Sequence, residues 1–207
     1  MDQDNGQTSL LLYNFLQCSG NNLFQKELKE LDSELAVFVS KNGCSEQEYE
    51  LQTDGNRCYF DMSREEVLDS ESQEVLQRIA THLAQIGDKI DSSIQPRLVD
   101  NLIQQFRNIN LPAEDKKRFL DAAMEQMMQT IPLDLEREKA QLLLAMLLAK
   151  KVMTHAPSLF RSIFYITVDY INQNLITYIR NLIRNVSSRA IMYLTVSYPQ
   201  ITVVISW

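Results

Sequence analysis

"KAQLLLAMLLAK", Lys139 to Lys150, decides the fold. Ten uncharged residues separate its two lysines and all but Gln141 are apolar, so a helix built from them is greasy around its whole circumference. Such a helix has to be buried on every side, which requires other helices packed around it. Its apolar run is also too short to cross a bilayer, which takes about 20 residues. The stretch therefore predicts an all-α bundle, with one or two central hydrophobic helices wrapped by amphipathic ones. Composition agrees: five glycines and five prolines in 207 residues leave too little turn punctuation for a many-stranded fold.

Outward from this centre the chain reads as a series of helices. Downstream, "SLFRSIFYITVDYINQNL" forms a helix separated from the central one at Pro157, and the amphipathic "ITYIRNLIRN" closes the bundle near Asn185. Upstream, Pro112 with Glu114 and Asp115 starts a helix whose buried side is Met124, Met127, Met128 and Ile131, with Pro132 at its end. Pro96 opens another, with Leu98, Val99, Leu102, Ile103 and Phe106 on one face. A short apolar helix runs from about Ser9 to Gly20, and "NNLFQKELKELDSELAVF" begins a second at an Asn cap. From about residue 40 to 70 no period is sustained. This predicts an exposed loop of a length that is usually functional or disordered. The last 22 residues, 186–207, are an apolar, β-branched tail with no charge after Arg189. A tail anchor, an alternative end and a disordered extension all remain open for it.

Charge is unevenly distributed. Residues 1–54 hold 10 acids and 3 bases, a net of −7, whereas residues 55–207 hold 17 of each. Residues 135–207 carry 3 acids and 8 bases, or +5. Either the acidic first quarter latches onto a basic late half, or both are simply solvated. An acidic chain without a basic, aromatic platform does not suit nucleic acid. Three cysteines in odd number, with no signal peptide before them, point to a reducing, cytoplasmic setting. Two histidines without ligand spacing argue against a metal site and the scattered glycines against a phosphate cradle, so no cofactor and no enzymatic activity are expected.

One helix, about 72–91, opens with the capping-box spacing of Ser70 and Gln73. Within it, "IATHLAQIGDKID" (Ile79 to Asp91) places Ile79, Leu83, Ile86 and Ile90 along one stripe, interrupted by Gly87 and followed by Asp88. A mid-helix glycine costs about 0.5–1 kcal/mol relative to alanine. Two readings account for it: a core helix whose Gly87 admits a close neighbour, or a ligand helix that docks in a groove on another protein.

"LAQIGD" in this helix resembles the BH-three death motif of the Bcl family. The segments "ELQTDGNR", "DSESQE", "LLLAKKV", "PSLFR" and "INQNL" match, in the same order, a BH-three-only branch of that family, from about Ser9 to Asn185. The resemblance implies a single domain over 1–185, a bundle of about eight helices around two hydrophobic ones, and a pro-apoptotic function. It implies that Ile79, Leu83, Ile86 and Ile90 fill pockets of a partner's groove, that Gly87 lets the groove wall approach, and that Asp88 pairs with a partner arginine. Partners implied are Bax and Bak, which are activated, and anti-apoptotic relatives, which are antagonised. It further implies that an initiator caspase recognises Leu51, Gln52, Thr53 and Asp54 and cuts between Asp54 and Gly55. It implies, last, that the protein then moves from the cytoplasm to the mitochondrial outer membrane.

There the helix bearing Leu142, Leu143, Leu144, Leu147, Leu148, Lys150 and Lys151 would meet an anionic, cardiolipin-containing surface. Two departures from the family pattern matter. Tyr59 stands where N-myristoylation of a new Gly55 terminus expects Ser or Thr, leaving Cys58 as an alternative acyl site, and Glu66 weakens a granzyme B site before Asp69. A membrane-inserting pore protein and a helical scaffold that never exposes the ligand helix are the rival readings.

Overall fold

A computed structural model describes residues 3–18, 23–40, 70–130 and 135–196. Among them are seven α-helices: α1 (Gln3–Cys18), α2 (Gln25–Ser40), α3 (Ser70–Ile90), α4 (Pro96–Arg107), α5 (Ala113–Thr130), α6 (Arg137–His155) and α7 (Phe160–Val196). Two single 3-10 turns, Asp91–Ser93 and Pro157–Leu159, bring the element count close to the eight expected, and the described residues contain no strand. The loop of about 40–70 falls outside the described residues apart from its two ends, which belong to α2 and α3.

α6 is the centre of the bundle. Every residue from Leu142 to Ala149 is fully buried, as the all-round apolar sequence demands. Its neighbours are α1, α3, α4, α5 and α7. The five leucines alone contribute on the order of 10 kcal/mol of burial against an exposed chain. The second hydrophobic helix is the first half of α7, where Phe160, Ile163, Phe164, Ile171, Leu175 and Ile179 are buried. Unlike α6 it keeps one exposed row, which includes Arg161, Tyr165 and Asp169.

The break between α6 and α7 lies where the sequence puts it. Ala156 leaves helical geometry at φ −142° and ψ 71°, and Pro157 opens a new turn. α4 starts at Pro96 and buries Val99, Leu102, Ile103 and Phe106. It ends at Asn108, whose side chain accepts a hydrogen bond from the Asn110 backbone N–H at 3.1 Å and bends the chain toward α5. On α5, Met124 and Met127 are buried and Met128 is half-buried, while Ile131 and Pro132 lie outside the described residues.

α2 starts at Gln25, past the expected Asn cap, and α3 spans Ser70–Ile90 rather than about 72–91, while two boundaries differ by more. α1 begins at Gln3 rather than near Ser9, because Asp4, Asn5 and Thr8 face α7 and are held there by side-chain bonds. The helix after Pro157 does not give way to a separate closing segment at Asn185. It continues unbroken to Val196, since neither glycine nor proline occurs between Phe160 and Val196 to stop it.

α1 and α2 are joined by Tyr13, whose hydroxyl donates to Asp32 at 2.9 Å. Burial and the Asp32 carboxylate push the Tyr13 phenol up to about 12, and burial with Asp121 raises Tyr170 as well. A phenol whose folded pKa exceeds its unfolded value stabilises the fold below the unfolded pKa and ceases to do so above the folded one. Stability is therefore expected to fall as pH rises from 10 toward 12, read as the denaturant midpoint. Tyr13→Phe should make that fall shallower, and an unchanged slope would remove Tyr13 from the account.

Candidate functional site

α3 carries the stripe singled out in the sequence, and the bundle uses most of it. Ile79 and Leu83 are buried, at 6% and 1% exposure, together with Val75, Leu76, Ala80 and Ala84. Gly87 is buried too, whereas Ile86 and Ile90 are half-buried and packed against the core edge. The face turned inward is thus displaced from the four-residue stripe toward the small residues Ala80, Ala84 and Gly87. Sequence periodicity could not find this displacement, because alanines carry little apolar signal and only the neighbours decide which flank is covered.

The main cover is α1, which packs along α3 more extensively than any other element. Its buried residues Leu11, Leu12, Phe15 and Leu16 belong to the same core cluster as Ile79 and Leu83. At Gly87 an added Cβ would lie 3.5 Å from Leu147, 3.6 Å from Leu143 and 3.6 Å from Phe15. These are ordinary van der Waals distances. The intact bundle accordingly has room for alanine at this position and does not itself require the glycine, although a longer side chain would enter an apolar wall.

Asp88 projects away from that wall, its side chain 59% exposed, and is held by Lys150 Nζ, which donates to Oδ1 at 3.2 Å. One turn on, Lys151 Nζ donates to Asp91 Oδ2 at 2.5 Å. The sequence reading assigned both lysines only to a membrane surface. It missed their carboxylate partners because those lie some sixty residues away in the chain and only the packing of α6 on α3 joins them. Leu142, Leu143, Leu144, Leu147 and Leu148, grouped with them in the same expectation, are all fully buried, so no outside surface reaches them in this fold. Among the described residues no helix is long and apolar enough to cross a membrane.

The acidic first quarter makes specific contacts with α7. Arg180 pairs with both carboxylate oxygens of Asp4, its Nε donating at 2.9 Å. Arg161 pairs with Glu34 at 2.6 Å and Glu30 at 3.7 Å, and the Tyr165 hydroxyl donates to Glu34 at 3.3 Å. Beneath these, Thr8 donates to Asn172 at 2.5 Å and Phe24 rests on Phe160 with ring centroids 5.7 Å apart. Both arginines have their pKa raised by these carboxylates. Exposed pairs of this kind contribute little each, so they set register more than strength.

Leu51, Gln52, Thr53, Asp54 and Gly55 lie outside the described residues, as do Cys44, Cys58, Tyr59 and Asp69. Cys18 is free and exposed at the end of α1, 3.5 Å from the Thr81 hydroxyl of α3. Among the described residues no cluster of His, Cys, Asp or Glu is arranged to hold a metal ion.

The free space at Gly87 leads to a stability order. Gly87→Ala should stabilise the intact bundle by about 0.5–1 kcal/mol through helix propensity. Gly87→Glu, which aims a carboxylate at Leu143, Leu147 and Phe15, should destabilise it by about 2 kcal/mol or more. Equilibrium denaturant unfolding checks both. Loss of stability in the alanine variant would mean that the close contact needs a missing side chain after all.

The comparisons with known proteins agree with one another. A family model described as BH3 interacting domain (BID) matches residues 1–185. The BH3-interacting domain death agonist of Mus musculus is 49% identical over 181 residues, which cover 86% of this chain and 90% of that protein. A protein of the same description from Gallus gallus is 44% identical over 177 residues, covering 84% of this chain and 92% of its own length. The last helical residues of α7, beyond 185, extend past the part that the family model matches. On the strength of this match across the whole bundle, α3 and α1 included, the chain belongs to the BH3 interacting domain (BID) family.

Proposed function

We propose that this chain is a latent pro-apoptotic ligand whose α3 leaves its own bundle and docks in the groove of a Bcl-family partner, a function of binding rather than catalysis. One observation carries the reading: the apolar face of α3 is closed chiefly by α1, and α1 lies on the far side of Asp54 from α3. A cut after Asp54 by an initiator caspase turns that cover into a separate fragment, held only by non-covalent contacts. Its departure uncovers Ile79 and Leu83 and frees Ile86, Gly87, Asp88 and Ile90 for the same groove. The room left at Gly87 supports a second occupancy. The intact bundle would accept alanine and gain helix propensity from it, so the glycine suits a partner wall closer than Leu143 and Leu147.

In this reading Bax and Bak are activated and anti-apoptotic relatives are occupied, with permeabilisation of the mitochondrial outer membrane as the outcome. The intact protein is cytoplasmic. The cut one meets the mitochondrial surface, where opening of the bundle brings the α6 leucines with Lys150 and Lys151 to an anionic, cardiolipin-containing bilayer. The segment before Asp54 takes its net −7 with it, leaving a fragment with balanced charge and a basic α7.

Asp54→Ala should abolish both cutting by initiator caspase and the gain of groove binding that cutting produces, measured by gel and by fluorescence titration with a Bcl-family protein. Equal activation of this variant would dismiss the cleavage step. A peptide spanning residues 70–93 should bind the same groove without any cutting. Leu83→Ala within that peptide should lose about 2 kcal/mol, and an unaffected affinity would show that Leu83 is not a central anchor.

A further inference from the structure

Lys150 and Lys151 sit side by side on α6 and each holds one acid at the end of α3: Lys150 holds Asp88 at 3.2 Å, and Lys151 holds Asp91 at 2.5 Å. The lysine ends are largely covered, with side chains 11% and 24% exposed. Solvent screening is therefore weaker there than at the Arg161 and Arg180 pairs, whose arginines are half exposed. The two acids stand three residues apart and so share one side of the chain as it leaves α3, facing the two cations together.

We infer that Lys150 and Lys151 form an internal decoy for the partner's cation: α6 occupies the acidic end of α3 in the latent protein, and a groove must compete for it. The inference rests on the proposed role of α3 as a groove ligand and adds the element that holds it back. α1 closes the apolar face, but it makes neither of these two ion pairs. After a cut has freed α1, the lysine pair still ties the end of α3 to α6, beside the apolar contacts of Ile86, Gly87 and Ile90 with the core. The handover is then an exchange of one ion pair for another of like chemistry. Such an exchange avoids a stage in which Asp88 approaches the groove wall unpaired. Removing the lysines leaves neither acid fully buried, because the Asp88 side chain is 59% exposed and that of Asp91 33%. A lysine-to-methionine change keeps the aliphatic packing and deletes only the charge.

The test uses the full chain, cut and uncut, and a Bcl-family groove protein without its membrane segment, with binding followed by stopped-flow fluorescence. The Lys150→Met, Lys151→Met variant should be captured about tenfold faster than the cut parent, the size expected for two partly covered pairs. Its capture should weaken as salt is added, because a new pair then forms with none broken, whereas the parent's exchange should vary little with salt. Lys151→Asp should likewise speed capture, and adding Asp91→Lys should restore the parent rate. A passive loss of packing would not be rescued by that swap. If the cut parent binds the groove but the methionine variant is captured at the parent rate, or the swap fails to rescue, the decoy is refuted while the ligand reading stands. If the cut parent does not bind at all, the ligand reading falls and takes the decoy with it.

Discussion

The whole architecture depends on keeping water away from α6. A helix that is apolar on every side has no orientation in which one neighbour suffices, and the bundle is the arrangement that encloses it. α1, α3, α4, α5 and α7 are each amphipathic enough to present one face inward and another to solvent, and each has contact with α6. Cores of this kind are close-packed, so a surrounding helix cannot be withdrawn without exposing part of the centre. That coupling makes α3 more than a surface helix. Releasing it opens the wall beside Leu143 and Leu147, the residues nearest Gly87.

α3 carries two sets of demands on one length of helix. Val75, Leu76, Ala80 and Ala84 serve the bundle, and they extend the buried face well beyond the four positions that periodicity highlights. Ile86 and Ile90 are only half used by it. Gly87 is a position where the bundle gains nothing from the absent side chain, since the distances around it are those of ordinary contact. A residue that costs helix stability without easing its own fold is the kind of local inconsistency that functional sites show. Asp88 fits the same description, being mostly exposed at the rim and held there by Lys150.

The described part of the acidic first quarter covers α3 and the first half of α7. Its two helices and the turn before α2 meet α7 through Asp4, Glu30 and Glu34 outside and through Phe24 and Thr8 beneath, so polar registration and apolar burial coincide on one surface. Of the two possibilities left by the uneven charge, contact between the acidic segment and the basic late helix is the one realised at Arg161 and Arg180. Exposed ion pairs contribute little individually, so the cover is held mainly by core residues such as Leu12 and Phe15 of α1, Phe24 in the turn before α2 and Leu28 of α2.

Much of this was legible in the chain itself. The all-α class, the buried central helix, the break at Pro157, the start at Pro96 and the stripe on α3 follow from local rules: periodicity, capping, proline geometry and the length of an apolar run. These rules act over a few turns, and a sequence states them directly. What only the tertiary structure decided is which flank of α3 turns inward, that Lys150 and Lys151 face Asp88 and Asp91, that Asp4 reaches Arg180, and that α7 runs on to Val196 as one helix. The first three depend on relative placement of elements far apart in the chain, where small residues and single charges carry no periodic signal of their own. The last turns on the absence of any residue that stops a helix, a weaker mark in sequence than the change of composition after Asn185.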